Sequence, residues 1–303
     1  MDVSGETAIR VAGLRMAYDG RTVLDGIGFE VRAGEVVALL GPNGAGKTTT
    51  VEIVEGFRRR DAGDVTVLGT DPEHGDDAWR ARIGVVLQSW RDHRRWRVRE
   101  LLGHLADSYR PYSRPGFTRP RSVDDLLARV GLTDAADQRM ATLSGGQRRR
   151  FDVAVGLVGR PDLLILDEPT AGLDPAARRE FHEIVHEVVD RDGTVVLLTT
   201  HDLAEAEVVA DRILLLAGGH VVADGSPASV AREVAGPAEV RWSADGARHV
   251  HSTHDPVAFT RELLARGGVD DLEVVRASLE DAYLQIVRRH EADAARHDLE
   301  VTR

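Results

Sequence analysis

The chain contains no cysteine. Disulfides and thiolate–metal sites are excluded, and a reducing cytosol is the simple expectation. Aromatic residues make up only 5% of its 303 residues, so aliphatic side chains must build most of any core. There is no excess of positive charge either. The formal net charge is −11, whereas a general nucleic-acid binder is more often basic, so DNA and RNA are not expected partners. Long apolar runs are also missing. Nothing approaches the roughly 18 apolar residues needed to cross a bilayer. Met1–Arg10 lacks the apolar stretch of a signal peptide, and the runs around Val195–Leu198 and Ile213–Ala217 are strand-sized. The chain is expected to be soluble alone, so any membrane part of its task must come from another polypeptide.

What is present suits a globular protein: 42% hydrophobic and 29% charged residues, enough for one large domain or a large one plus a small one. Val36–Leu40, Val85–Leu87, Leu163–Leu166 and Val195–Leu198 are short and rich in Val, Ile or Leu. They read as strands buried on both faces, as in a parallel sheet. Gly41, Gln88 and Asp167 follow three of them directly, and His201 follows the fourth after two threonines. In parallel α/β sheets ligands bind beyond the carboxyl ends of the strands, so these four ends form one argument.

Between Trp90 and Arg160 the pattern turns helical. Arg99–Tyr109 and Val123–Val130 are amphipathic, with a Pro- and Arg-rich loop at Arg110–Arg121, and a further helix follows Gly145-Gly146. Glu180–Arg191, closed by Asp192-Gly193, and Ala204–Ala210 are also expected to be helical. Gly236-Pro237 marks a change of character. Beyond it, Ala238–Val250 alternates like strands, Pro256–Arg266 reads as a helix and Leu272–Val275 as a strand. Ser278–Arg289 reads as a helix capped by Ser278. Residues 238–289 form a small α+β extension in this reading, and 290–303 a frayed or disordered tail.

Gly41-Pro42-Asn43-Gly44-Ala45-Gly46-Lys47-Thr48-Thr49 matches the P-loop pattern G-x-x-x-x-G-K-[ST]. Its glycines let successive backbone N–H groups turn inward as an anion nest, and the helix that follows points its positive end at the phosphates. Lys47 adds a full charge near the β- and γ-phosphates. The Thr48 hydroxyl can ligate Mg²⁺, and Thr49 can meet the α-phosphate. A Gly-rich turn alone would not require Lys-Thr at this spacing after a buried strand. The P-loop by itself says nucleotide, since ATPases, GTPases and small-molecule kinases share it.

Three more segments narrow the choice. Leu143-Ser144-Gly145-Gly146-Gln147 opens a helix, Leu163-Leu164-Ile165-Leu166-Asp167-Glu168-Pro169-Thr170 follows, and His201 ends the next strand. With these in this order the chain resembles the ATP-binding cassette (ABC) family over about residues 7–230. The resemblance implies an α/β P-loop NTPase fold of the ABC ATPase type. That fold has a mostly parallel core sheet, an N-terminal antiparallel β subdomain and a helical signature subdomain at about 90–160. The cassette would span 7–233, with the small C-terminal α+β extension beyond it.

The resemblance also implies roles. Asp167 holds Mg²⁺, Glu168 is base or orienter for the attacking water, and His201 contacts the γ-phosphate and steadies Glu168 or the water. Gln88 senses Mg²⁺ and water. Tyr18 stacks on adenine, which gives affinity with little base selectivity; a strand-end tyrosine packing locally is the other reading. Ser144, Gly145, Gly146 and Gln147 offer a second phosphate-binding helix end, used in trans. ATP is then sandwiched in a head-to-tail homodimer with two equivalent sites, and Asp174 communicates across the interface. Locally, Asp174 fits equally well as a helix N-cap before Pro175.

The expected partners are integral-membrane permease subunits and a second copy of the chain, at the cytoplasmic face of the membrane. Ser278-Leu279-Glu280-Asp281-Ala282-Tyr283-Leu284 resembles the closing helix of drug-resistance-type ATPases of ABC-2 exporters, although a plain amphipathic capping helix reads the same way. An importer ATPase or a non-transport ABC ATPase is the alternative. One P-loop per chain and no sustained heptads argue against the latter. The segment from Trp90 to Arg99 carries two tryptophans and five arginines. It reads as a partner-docking surface or as a solvated basic loop.

Overall fold

A computed structural model describes residues 6–87, 93–235, 237–244, 246–275, 279, 280, 283 and 284. Gln88, Trp90, Ser278 and the tail 290–303 lie outside the described residues, as does most of the expected helix 278–289. The first part of the chain runs β1 (Thr7–Tyr18), β2 (Arg21–Arg32), β3 (Val36–Leu40), α1 (Lys47–Val54), β4 (Ala62–Val67), α2 (Asp77–Arg80) and β5 (Ile83–Val86). Three helices follow, α3 (Val98–Asp107), α4 (Val123–Arg129) and α5 (Gly145–Leu157). Then come β6 (Leu163–Asp167), α6 (Pro175–Asp192), β7 (Val195–Thr200), α7 (Leu203–Val209), β8 (Arg212–Ala217) and β9 (His220–Gly225).

The core sheet has the order β5-β6-β7-β3-β8-β9. The pairings β5–β6, β6–β7, β7–β3 and β3–β8 are all parallel. β3 and β7 are buried at every position, as their unbroken aliphatic runs require of strands covered on both faces. Alternate residues serve the two faces. Val37, Leu39, Leu163, Ile165 and Leu197 share one core with Ile9, Val11 and Leu24 of an antiparallel sheet of order β2-β1-β4. Each such buried aliphatic side chain contributes about 1.5–3 kcal/mol. Leu40, Leu164, Leu166 and Leu198 are buried on the opposite face.

The helical segment is held by α3, α4 and α5 packing on one another. Leu101, Leu102, Leu126, Leu127 and Phe151 are its buried apolar face. Ser122 caps α4 by accepting from the Asp125 amide. Helix α6 begins at Pro175 rather than Glu180. Asp174 caps it, Pro175 occupies the first turn where its missing N–H costs nothing, and Gly193 closes it in the left-handed conformation at φ 65°. In the Arg/Trp-rich stretch, Trp96 is 39% exposed and its ring centroid lies 5.2 Å from that of His104.

The internal contacts divide the chain after Val222, within β9 and ahead of the Gly236-Pro237 change in composition. The second unit, 223–303, contains α8 (Pro227–Ala235), β10 (Ala238–Ala244), β11 (Ala247–Thr253), α9 (Pro256–Arg266) and β12 (Asp271–Val275). Its sheet is antiparallel with order β11-β10-β12. The Phe259 ring of α9 lies 5.6 Å from Trp242 and 4.1 Å from His251, and Val240 is fully buried. The expected alternating strands and helix are thus present. Among the described residues no helix is long and apolar enough to cross a membrane.

Candidate functional site

β6, β7 and β3 are adjacent in the sheet, so their carboxyl ends place Asp167, His201 and the P-loop side by side. The P-loop leaves β3 at Gly41, where a Cβ would stand 2.4 Å from the Leu216 carbonyl oxygen. Any side chain there would push the loop off β8. At Gly46 the backbone has φ 101°, and a Cβ would stand 2.4 Å from Leu24. Only glycine meets both demands without strain.

Gly46 is also the N-cap of α1 and provides no side-chain cap. The amides at this helix start are left for an anion. The Lys47 side chain is buried, and Nζ donates to the carbonyls of Gly41 (2.7 Å) and Pro42 (3.2 Å). Burial pushes its pKa down, while Glu168 and then Asp167 pull it back up. A buried ammonium lying on two carbonyls in front of a helix start suits a phosphate chain. Asn43, Gly44 and Thr48 are exposed at the loop surface, whereas Ala45 and Thr49 are buried.

The acid pair is held by one residue. Thr199 Oγ1 donates to Asp167 Oδ1 at 2.5 Å and accepts from the Glu168 amide at 3.1 Å. The Glu168 amide also donates to the Thr199 carbonyl at 3.1 Å. Glu168 has φ 43°, a left-handed conformation that costs a residue with a side chain about 1–2 kcal/mol. At this turn His201 Nδ1 lies 3.2 Å from Glu168 Oε1. His201 itself sits in a fixed turn. Thr200 Oγ1 accepts from the Asp202 amide (2.9 Å) and donates to the buried Glu205 carboxylate (2.5 Å), while Asp202 caps α7. Burial raises the pKa of Glu205.

Tyr18 comes to the P-loop side through a 3.3 Å hydrogen bond between its hydroxyl and Thr49 Oγ1. The Arg58 guanidinium lies 5.0 Å from the centroid of its ring. One face of the aromatic platform is thus occupied by a cation that the sequence pattern did not single out. Ser144, Gly145, Gly146 and Gln147 lie at the head of α5. There the Gln147 amide donates to Ser144 Oγ (3.2 Å) and the Ser144 amide to Gln147 Oε1 (3.0 Å), a reciprocal cap with Ser144 and Gly145 exposed. Asp174 accepts from the amides of Ala176 and Ala177 at 2.9 and 3.0 Å, the N-cap arrangement. Of the residues expected at the site, Gln88 is not among those described.

Thr199 could have been noticed as the first of two threonines after a buried run. Arg58 and Arg149 carry no motif. Among the described residues no cluster of three metal-binding side chains exists. Thr48 with the single carboxylate of Asp167 fits Mg²⁺, which keeps most of its waters and takes its other ligands from substrate phosphates.

Comparison with known proteins identifies relatives of the chain. The family described as "ABC transporter" matches residues 24–171. The daunorubicin/doxorubicin resistance ATP-binding protein DrrA of Streptomyces peucetius is 40% identical over 229 residues, covering 75% of this chain and 67% of that one. Nod factor export ATP-binding protein I of Rhizobium meliloti (strain 1021) is 36% identical over 305 residues, covering 94% and 90%. Among solved structures, an ATP-binding subunit of an ABC transporter superposes with a TM-score of 0.63 at 28% identity, covering 75% of this chain and 93% of that one.

Proposed function

The chain belongs to the ABC transporter family as an ATP-binding subunit, and from that premise we propose that it hydrolyses ATP to drive an exporter. The observation that carries the hydrolytic reading is the 3.2 Å approach of His201 to Glu168, beside the Lys47 cradle. The names of the two relatives, a drug-resistance protein and a Nod factor exporter, favour export.

The following roles are proposed, and the site geometry supports them. The uncapped head of α1 and the P-loop amides bind the phosphate chain, with Lys47 neutralising its charge. Tyr18 offers a ring face to the base. Thr48 and Asp167, with Gln88, would hold Mg²⁺, which would supply charge neutralisation for the phosphate chain. Glu168 orients the attacking water and accepts its proton, and His201 fixes the carboxylate through its ring nitrogen. Thr199 keeps Asp167 and Glu168 in register.

In this reading the site is completed by a second copy of the chain. Ser144–Gln147 stand at an exposed helix start that serves the partner's nucleotide, and Asp174 lies where the two copies meet. ATP closes the pair, hydrolysis reopens it, and permease subunits at the cytoplasmic face of the membrane follow the cycle. The cassette extends over 7–233, and 238–289 is an accessory region. The segment at 93–99, with half-exposed Trp96, is assigned to the permease contact.

The test is Glu168→Gln. The variant should bind ATP, accumulate as a dimer and turn over about 10²–10⁴-fold more slowly. Turnover at the wild-type rate would remove the assignment. Co-purification with an integral-membrane protein tests the transport role, and charge reversal at Arg94 and Arg95 should weaken it while basal ATPase is retained.

A further inference from the structure

Arg149 stands on α5, the helix that Ser144–Gln147 open, and its side chain is buried at 8% exposure. Nε donates to the Pro169 carbonyl at 2.5 Å and Nη1 to the Leu87 carbonyl at 2.7 Å. Nη2 reaches the carbonyls of Asp167 and Glu168 at 3.3 and 3.4 Å. One guanidinium thus joins four backbone oxygens from the ends of two neighbouring strands, β5 and β6.

These acceptors carry no net charge. Asp152, whose carboxylate lies 3.8 Å from Arg149 Nη1, is the nearby acid on the same helix. Burial works against the Arg149 charge, and Asp152, Glu205 and Asp167 support it. A buried cation is a costly way to fill space, and an apolar side chain of similar volume would pack as well. The planar fork of five donors is what an apolar residue, or a lysine, does not supply.

Glu168 is where that fork matters. Its backbone sits in the left-handed region. From β7, Thr199 holds its amide; from α5, Arg149 holds its carbonyl and those on either side of it. The peptide carrying the carboxylate is gripped from both sides. The same side chain also ties down Leu87, the residue before Gln88.

We propose that Arg149 is a positioning residue for hydrolysis, its guanidinium clamping the backbone of Asp167, Glu168 and Pro169 so that the Glu168 carboxylate stays aimed at the attacking water. The clamp also makes the placement of α5 and the aim of Glu168 one mechanical variable. This rests on the assignment of Glu168 made above.

The test uses the full chain with Arg149→Ala and Arg149→Lys, measuring phosphate release and the affinity for a fluorescent ATP analogue. Displacing a reacting group by about 1 Å costs on the order of 10²-fold in rate, so kcat should fall about 10- to 100-fold in both variants. The Kd should stay within about threefold, because an interaction felt only in the transition state lowers kcat alone. Added ethylguanidinium should restore turnover to Arg149→Ala and not to Glu168→Gln. Wild-type kcat in Arg149→Lys overturns the proposal. So does a parallel loss of kcat and ATP affinity with no rescue, which marks a merely structural residue. If Arg149→Ala does not fold, Arg149→Lys and Arg149→Gln carry the same kcat-against-Kd criterion. Unimpaired Glu168→Gln would instead remove the underlying assignment, a separate result on a separate variant.

Discussion

His201 Nδ1 lies 3.2 Å from Glu168 Oε1, joining the ends of two adjacent parallel strands. The histidine side chain is 57% exposed and the glutamate 19%, so the pair stands at the mouth of the site with the acid inward. His201→Ala should leave ATP affinity near its wild-type value and lower kcat by up to about 10²-fold, the low end of what a general base itself contributes. Phosphate release under saturating ATP measures it, and unchanged kcat would detach His201 from catalysis.

Thr199 makes a second, testable join. Thr199→Val keeps the shape but removes the donor to Asp167 and an acceptor of the Glu168 amide. The Glu168 amide keeps its bond to the Thr199 carbonyl, but half-buried Asp167 Oδ1 loses its donor at a cost of about 1 kcal/mol, so slightly lower thermal stability and reduced turnover are expected together. Thr199→Ser should recover most of both. Equal behaviour of Val and Ser would mean that the hydroxyl is idle.

Gly46→Ala places a Cβ 2.4 Å from Leu24 at φ 101°. A strained backbone of this kind costs about 1–3 kcal/mol. Equilibrium binding of an ATP analogue should weaken by at least tenfold, because the loop must shift to relieve the contact. Unchanged affinity would show that the cradle tolerates a side chain.

Tyr18→Ala should weaken nucleotide affinity, since stacking of a base on an aromatic ring contributes about 1–3 kcal/mol. Tyr18→Phe loses only the hydroxyl bond to Thr49 and should bind nearly as well. A Phe variant as weak as the Ala variant would assign the effect to the hydrogen bond rather than the ring.

Glu55 supplies a pH signature. Burial, then Glu52 and Asp167, push its carboxyl up from 4.5 to about 7, and Oε2 is buried without a hydrogen-bond partner. Between these two values the folded chain keeps a proton that the unfolded chain has lost, so stability falls as pH rises through this window. Glu55→Gln should therefore raise the unfolding midpoint at pH 8 by roughly 2–4 °C, for about 1 kcal/mol after solvent screening. At pH 4 it should have little effect. Thermal melts at the two pH values decide it, and an equal shift at both would remove the carboxyl as the cause.

Much of this architecture was legible in the chain itself. The sequence bounds of Val36–Leu40 and Pro256–Arg266 coincide with the observed elements, because a doubly buried strand and an amphipathic helix each write their periodicity locally. Helix α6 is longer than its periodicity indicates. Its start depends on the Asp174-Pro175 cap, which competes with a second role for the same aspartate.

The P-loop, the acid pair and the strand ends that carry them can be read along the chain, because they depend on residue type at fixed short spacing. Tertiary structure decided which groups meet. His201 reaches across 33 residues to Glu168, Thr199 across 31 to the Glu168 amide, and Arg149 across 62 to Leu87. Such contacts arise from the order in which parallel strands pair and from a helix packed against their ends. A hydrogen bond between distant residues leaves no periodic trace in the chain, so the supports of the site became visible only in the fold.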